Sequence, residues 1–134
     1  MNQVTTKAVA VASLLSIALL YTQVAGAREW KGPQTGMAAC YSKRLAGHRT
    51  TSGQRYDPSA LTAAHGRIPA GTHVKVTNLA NGKSVELVVN DRMAAHGRIV
   101  MDISENACKE LDFPSGGEAK VKIEALPASS VTEH

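Results

Sequence analysis

Two stretches of this chain concentrate side chains that can hold or move protons. The first runs Thr50-Thr51-Ser52-Gly53-Gln54-Arg55-Tyr56-Asp57 and resumes as Leu61-Thr62-Ala63-Ala64-His65. The second is Asn90-Asp91-Arg92, a carboxylate and a guanidinium where an apolar alternation stops, the kind of strand end at which ligand sites form. Carboxylates and an imidazole within one fold are the material of general acid–base chemistry. His48, His73, His96 and His134 have no zinc-type spacing with one another or with a Cys, so neither a metal site nor any other cofactor is expected.

Those stretches need a frame, and the clearest piece of it is a hairpin. Val74 and Val76 alternate with polar neighbours, Asn81-Gly82 supplies a tight turn, and Val85, Leu87 and Val89 resume the alternation towards Asp91. Further short strands are predicted at Gly36 to Tyr41 and at Ala119 to Ala125, where Val121, Ile123 and Ala125 share a face. One helix is signalled by Ser104 as its cap and Glu105 in its first turn. Ile103 is placed to pack on Cys108 as a hydrophobic staple, Leu111 extends that face, and Pro114 ends the run. Several short strands with one helix suggest a small closed β-barrel, because closure removes exposed edges.

The first 27 residues read as a cleaved signal peptide: Lys7 precedes the apolar run Ala8 to Leu20, and Ala25-Gly26-Ala27 gives the small-residue cleavage pattern. The run is short for a permanent span. Residues 28–134 are then one mature domain, with a compact body of about 35–126 between loose ends. The first Cys is Cys40, so no cysteine follows the leader to carry a lipid, and no membrane anchor is expected after cleavage. Export makes a disulfide between Cys40 and Cys108 the expected state, two buried thiols being the alternative. The formal net charge is +4 and aromatics are 4% of residues, a modest, scattered excess without a stacking platform, which argues against nucleic acid as a partner.

The order Ala-x-Tyr, Thr-x-Ser-Gly, Tyr-Asp, Leu-Thr-Ala-Ala-His, Asn-Asp-Arg, Gly-Arg and Asp-Ile-Ser, over about residues 36–126, resembles the rare lipoprotein A family. The resemblance implies a mainly β fold, a six-stranded double-psi β-barrel with one short helix, akin to expansins and family 45 endoglucanases. It implies a septal-ring type of lytic transglycosylase (lyase, EC 4.2.2.-), acting as a monomer on peptidoglycan glycan strands in the periplasm or outside the cell. Such an enzyme leaves 1,6-anhydro-muramic acid ends. Carried over by motif, the functional positions are Gln54, Asp57 and His65. Asp91 is similar to the acid of the expansin and endoglucanase relatives. The expected catalytic set is Asp91, Asp57 and His65, and the expected substrate-binding set is Gln54, Tyr41, Ser52 and Arg92.

Two departures from the family pattern matter. Gln54 stands where the family has Glu, and an amide cannot titrate. Met93-Ala94 stands where Gly-Pro is usual, an altered loop edge. Plainer readings exist for each site residue: Asp91 paired with Arg92 or Arg98, Asp57 as a turn former before Pro58, His65 as a satisfied core histidine, Tyr41 as barrel packing. Arg98 and Asp102 are read as structural, and Lys43, Arg44 and Arg49 as a solvated loop. The leading expectation is the lytic enzyme. The alternatives are a non-catalytic peptidoglycan-binding or expansin-like module, in which Gln54 marks lost chemistry, and a secreted effector or inhibitor that binds a protein.

Overall fold

The computed structural model describes residues 29–41 and 45–127. The expected leader, the mature start at Arg28, the Lys43 and Arg44 positions and the tail beyond 127 lie outside the described residues. Six strands are present: β1 (Gln34–Cys40), β2 (Thr62–His65), β3 (His73–Asn78), β4 (Ser84–Asp91), β5 (Ile99–Ile103) and β6 (Glu118–Ala125). One helix, α1 (Glu105–Glu110), lies between β5 and β6. The strands close into a barrel in the order β1-β5-β2-β4-β3-β6, and β6 returns to β1. β1 with β5 and β2 with β4 run parallel, the other four pairs antiparallel. This is the mainly β, six-stranded barrel with one short helix that the motif order implied.

Period-two alternation builds the interior. Val74 and Val76 of β3, Val85, Leu87 and Val89 of β4, Ile99, Met101 and Ile103 of β5, and Val121 and Ile123 of β6 are all buried. Where strands approach most closely the chain uses small residues: Ala38, Ala63 and Ala64 are fully buried. At Gly36 an added Cβ would lie 2.8 Å from Val100, so the β1–β5 approach depends on a bare Cα there.

The predicted hairpin is β3–β4, but its turn is wider than a two-residue loop. The Gly82 N–H donates to the Asn78 carbonyl (2.8 Å) and the Asn78 N–H donates to the Lys83 carbonyl (2.8 Å), so the loop runs from Leu79 to Gly82. The reason lies across the barrel: the side-chain amides of Asn78 and Asn81 both donate to the Leu111 carbonyl (2.9 and 3.0 Å), tying the turn to the end of α1. Asn81-Gly82 still makes the reversal, with Gly82 at a φ of 76°.

α1 starts where the sequence places it. Ser104 caps it in extended conformation, its Oγ accepting from the Ala107 N–H and donating to the Ala60 carbonyl (2.6 Å). Ala107, Cys108 and Leu111 face inward, and Cys108 bonds to Cys40 at the end of β1 with the Cα atoms 6.0 Å apart. The expected disulfide is therefore formed.

Candidate active site

Asp91 is positioned by an irregularity in the β2–β4 pairing. Ala63 opposes Val89 and Ala64 opposes Asp91, so Asn90 is skipped. A bulge of this kind re-aims the side chains at a strand end. Buried Asn90 donates through Nδ2 to Gln54 Oε1 (3.1 Å), and its carbonyl accepts from the Ser52 N–H (3.3 Å). The Asp91 carboxylate accepts from the Tyr41 hydroxyl (2.6 Å), the Thr51 N–H (3.0 Å) and the Arg92 N–H (2.8 Å). Thus β1's end, the 50–54 loop and the end of β4 converge on one carboxylate. Burial pushes the Asp91 pKa up, but the bonds from Tyr41, Thr51 and Arg92 outweigh it and hold the group below the usual range, ionised at neutral pH. Tyr41 moves far upward, chiefly through burial and then through its bond to Asp91, with the charges of Asp91 and Asp102 adding to it. It stays a proton-bearing donor. Its ring rests on Tyr56 with centroids 4.8 Å apart, and the Tyr56 hydroxyl accepts from the Glu105 N–H at the start of α1 (3.3 Å).

The 50–54 loop is a self-bonded turn. Thr50 Oγ1 donates to the Gln54 carbonyl (2.9 Å) and lies 2.9 Å from Ser52 Oγ. Gly53, at a φ of 89°, closes the turn through its N–H to the Thr50 carbonyl (3.0 Å). Gln54 is exposed, and its oxygen is held by Asn90 while its amide nitrogen makes no hydrogen bond among the described residues. Gln54, Ser52, Tyr41 and Asp91 therefore share one end of the barrel.

Three other predicted site residues stand differently. Asp57 is exposed, and its Oδ1 accepts from the Ser59 N–H (2.9 Å) and Ser59 Oγ (2.7 Å), bonds that hold its pKa low. No hydrogen bond links it to Asp91 or Gln54. His65 is 2% exposed. Its Nδ1 accepts the Arg67 and Ile68 N–H groups (3.0 and 3.1 Å), which fixes the tautomer, so Nε2–H donates to Gln34 Oε1 (2.8 Å). Burial, then the charges of Arg67 and Arg92, bring its pKa down to about 4. Arg92 spends its guanidinium on the carbonyls of His65 (3.1 Å) and Ile68 (2.7 Å). His65 and Arg92 together hold the turn that follows β2, directly beside Ala64, the residue opposite Asp91.

Sequence reasoning passed over Trp30 and Gln34, and read Asp102 as structural. Trp30 packs edge-on to His65 with ring centroids 6.1 Å apart. No periodicity marked either, because Trp30 precedes the first strand and Gln34 is the first residue of β1, paired with Ile123 of β6. Asp102 lies opposite Ala64 from β5, as Asp91 does from β4. Beside Tyr41 opens a cleft of about 580 Å³ lined by Cys40, Cys108, Lys109 and Phe113 among others. Among the described residues no three His, Cys, Asp or Glu side chains are grouped so as to hold a metal ion.

This chain matches the lytic transglycolase family over residues 33–123 and belongs to it. Among curated relatives it is similar to the endolytic peptidoglycan transglycosylase RlpA of Neisseria meningitidis serogroup B, 47% identical over 93 residues, covering 69% of this chain and 39% of that protein. RlpA of Vibrio cholerae is 38% identical over 100 residues, covering 75% and 38% respectively. The chain thus spans about two fifths of the length of these relatives. The barrel itself resembles a Clavibacter michiganensis expansin solved with cellohexaose (TM-score 0.60, 17% identity, 75% of this chain and 54% of that one). It also resembles a Streptomyces papain inhibitor (TM-score 0.54, 20% identity, 72% and 96%).

Proposed function

We propose that this domain cleaves the glycan strands of peptidoglycan as a lytic transglycosylase, working as a monomer in the periplasm or outside the cell after removal of a signal peptide. One observation carries the reading: an ionised carboxylate, Asp91, held at the barrel mouth by three donors drawn from separate segments. In this reaction an acid protonates the glycosidic oxygen as its bond to C1 breaks. The muramic 6-hydroxyl then closes on C1, giving up its proton to a base, so proton and bond counts balance without water. The attacking hydroxyl belongs to the substrate, so no second carboxylate is needed to activate water, unlike in a hydrolytic glycosidase. Asp91, ionised at neutral pH, suits the base and the stabilisation of positive charge at C1. Gln54, through its amide nitrogen, Ser52 and Tyr41 line the approach to the sugar, while His65 and Arg92 serve as positioning residues that fix the strand beside Asp91. Asp57 caps its own turn at the rim.

Gln54 favours a second reading, a non-catalytic glycan-binding module. The two separate in mass spectrometry of products released from purified peptidoglycan, with and without stem peptides, by the parent and by Asp91→Asn. Anhydro-muramic ends made by the parent and lost in the variant support the enzyme. No release, with retained pull-down of the same glycan, supports the binding module.

A further inference from the structure

The ion pairs between described residues, Lys83–Asp112, Lys109–Glu105 and Lys122–Glu124, are all made by lysines. Arg92 is spent on backbone carbonyls. Two other arginines stand together at the barrel mouth with no acid to answer. We infer that Arg49 and Arg55 form a carboxylate-binding subsite on its rim, which holds an acid carried on the C3 arm of a muramic residue while C1 of that sugar lies at Asp91. The subsite depends on the lytic reading above and names the group by which the substrate is told from a neutral glycan.

Arg49 and Arg55 are partners in an isolated antiparallel bridge at the base of the 50–54 turn. The backbone bonds lie on either side of them, from the Tyr56 N–H to the His48 carbonyl and from the Thr50 N–H to the Gln54 carbonyl, both 2.7 Å. Directly opposed residues of such a pair have their Cβ atoms roughly 5 Å apart and their side chains on one face. Thr50 and Tyr56 take the inward face and are buried, so the two arginines stand outward, and both are exposed. Like charges set opposite each other destabilise a strand pair. Among the described residues nothing offsets them: the Arg49 side chain makes no hydrogen bond and no ion pair, and Arg55 donates only to the Gly47 carbonyl (2.9 Å). A ligand carboxylate would offset both, and the planar fork of Arg suits it in two-point contact.

The same turn reaches the reacting group. Two residues on from Arg49, the Thr51 N–H donates to Asp91, and Gln54, next to Arg55, is bonded to Asn90. The long arginine stems thus rise from the rim of the mouth that Asp91 occupies. That mouth carries negative charge: Asp91 is ionised, and Asp57 is held ionised at the rim by Ser59. A neutral glycan meets no repulsion there. A muramic residue does, because its C3 lactyl arm brings in a further carboxylate, either its own or those of the stem peptide joined to it. Two cations on the rim offset that repulsion. They also fix which way round the ring lies, with C3 towards the arginines and C1 towards Asp91, which is the orientation that cleavage needs.

The test measures the Kd for soluble glycan strands, in an Asp91→Asn background so that nothing is cut during the measurement. The strands carry stem peptides, or are stripped of them by an amidase, or are stripped and then amidated at their carboxyl groups; N-acetylglucosamine oligomers are the neutral reference. Arg49→Gln with Arg55→Gln should weaken binding of carboxylate-bearing strands about tenfold or more, and leave the amidated strands and the oligomers within about twofold. Lys120→Gln makes the same kind of charge change on exposed β6 and should leave all four within about twofold. Loss on stripped strands assigns the lactyl carboxyl and loss confined to stem-bearing strands assigns the peptide's; either upholds the subsite. Loss under about threefold on both, or equal loss on amidated strands, overturns it. Arg49→Gln should melt level with the background or above it, because a like-charge pair is relieved. A clear fall overturns the subsite by making Arg49 structural. The lytic reading is decided separately: it fails if the parent releases no anhydro-muramic ends, whatever the arginines bind.

Discussion

Gln54 poses the sharpest question at a single residue. Its oxygen is engaged by the Asn90 amide, a bond that a carboxylate would accept equally well, so Gln54→Glu should fold without rearrangement. Proton transfer by a positioned acid contributes roughly 100- to 10,000-fold to a rate. If another group of the site already supplies that proton, Gln54→Glu should raise anhydro-product formation by no more than about threefold. A gain of about 100-fold in the same assay would show that the proton donor had been missing. His65 offers a second prediction, with a sign fixed by its neutral state. An unfolded imidazole binds a proton near its ordinary pKa of 6.5, the folded one only near 4. Above pH 6.5 neither state is charged and the stability is complete. Between 6.5 and 4 the unfolded state binds more protons, so stability falls as the pH is lowered, by on the order of 3 kcal/mol in all. The urea midpoint should drop from pH 7 to pH 4.5 in the parent, and much less in His65→Gln. A parent midpoint flat over that range would refute the buried neutral imidazole.

Strands and helix were legible to different degrees, for reasons that separate by element. β3, β4 and β6 each bury every second residue, so period two exposes them. α1 is only six residues long, yet Ser104 and Glu105 mark its start as clearly as in a longer helix. β2 and β5 were hidden: β2 reads Thr-Ala-Ala-His with its last three residues all buried, and β5 is Ile-Val-Met-Asp-Ile, apolar at four of five positions. β2 is too short to show a period and β5 carries apolar Val100 on its outer face, so neither displays the polar alternation that marks a strand. The same concealment covered Asp102, which looked like a helix-leading acid because its strand was unseen. Ser104 is where strand, loop and helix meet: its hydroxyl donates to the Ala60 carbonyl and caps α1, and it is fully buried. Ser104→Ala leaves that carbonyl and a helix N–H without their partner, which should cost about 2 to 3 kcal/mol in urea unfolding. A cost under about 0.5 kcal/mol would mean that the cap is dispensable.

At the scale of the molecule, the disulfide joins site and stability. Cys40 and Cys108 are 68 positions apart, so the bond restricts a loop that includes most of the barrel and should contribute about 2 to 4 kcal/mol. For a domain of this size each kcal/mol corresponds to roughly 4 to 8 °C, so Cys40→Ser with Cys108→Ser should melt at least about 8 °C below the oxidised parent. Local consequences follow from sequence adjacency. Cys40 precedes Tyr41, whose N–H is held by the Ile103 carbonyl (2.8 Å) and whose hydroxyl is the 2.6 Å donor to Asp91. Cys108 sits one turn into the helix whose first N–H reaches Tyr56, the ring under Tyr41. Loss of the bond frees both sides of that stack at once. The reduced form should therefore lose glycan cleavage at temperatures where circular dichroism still reports a folded barrel. If activity and melting fall together, the disulfide acts only on global stability, and the Tyr41–Tyr56 support of Asp91 stands without it.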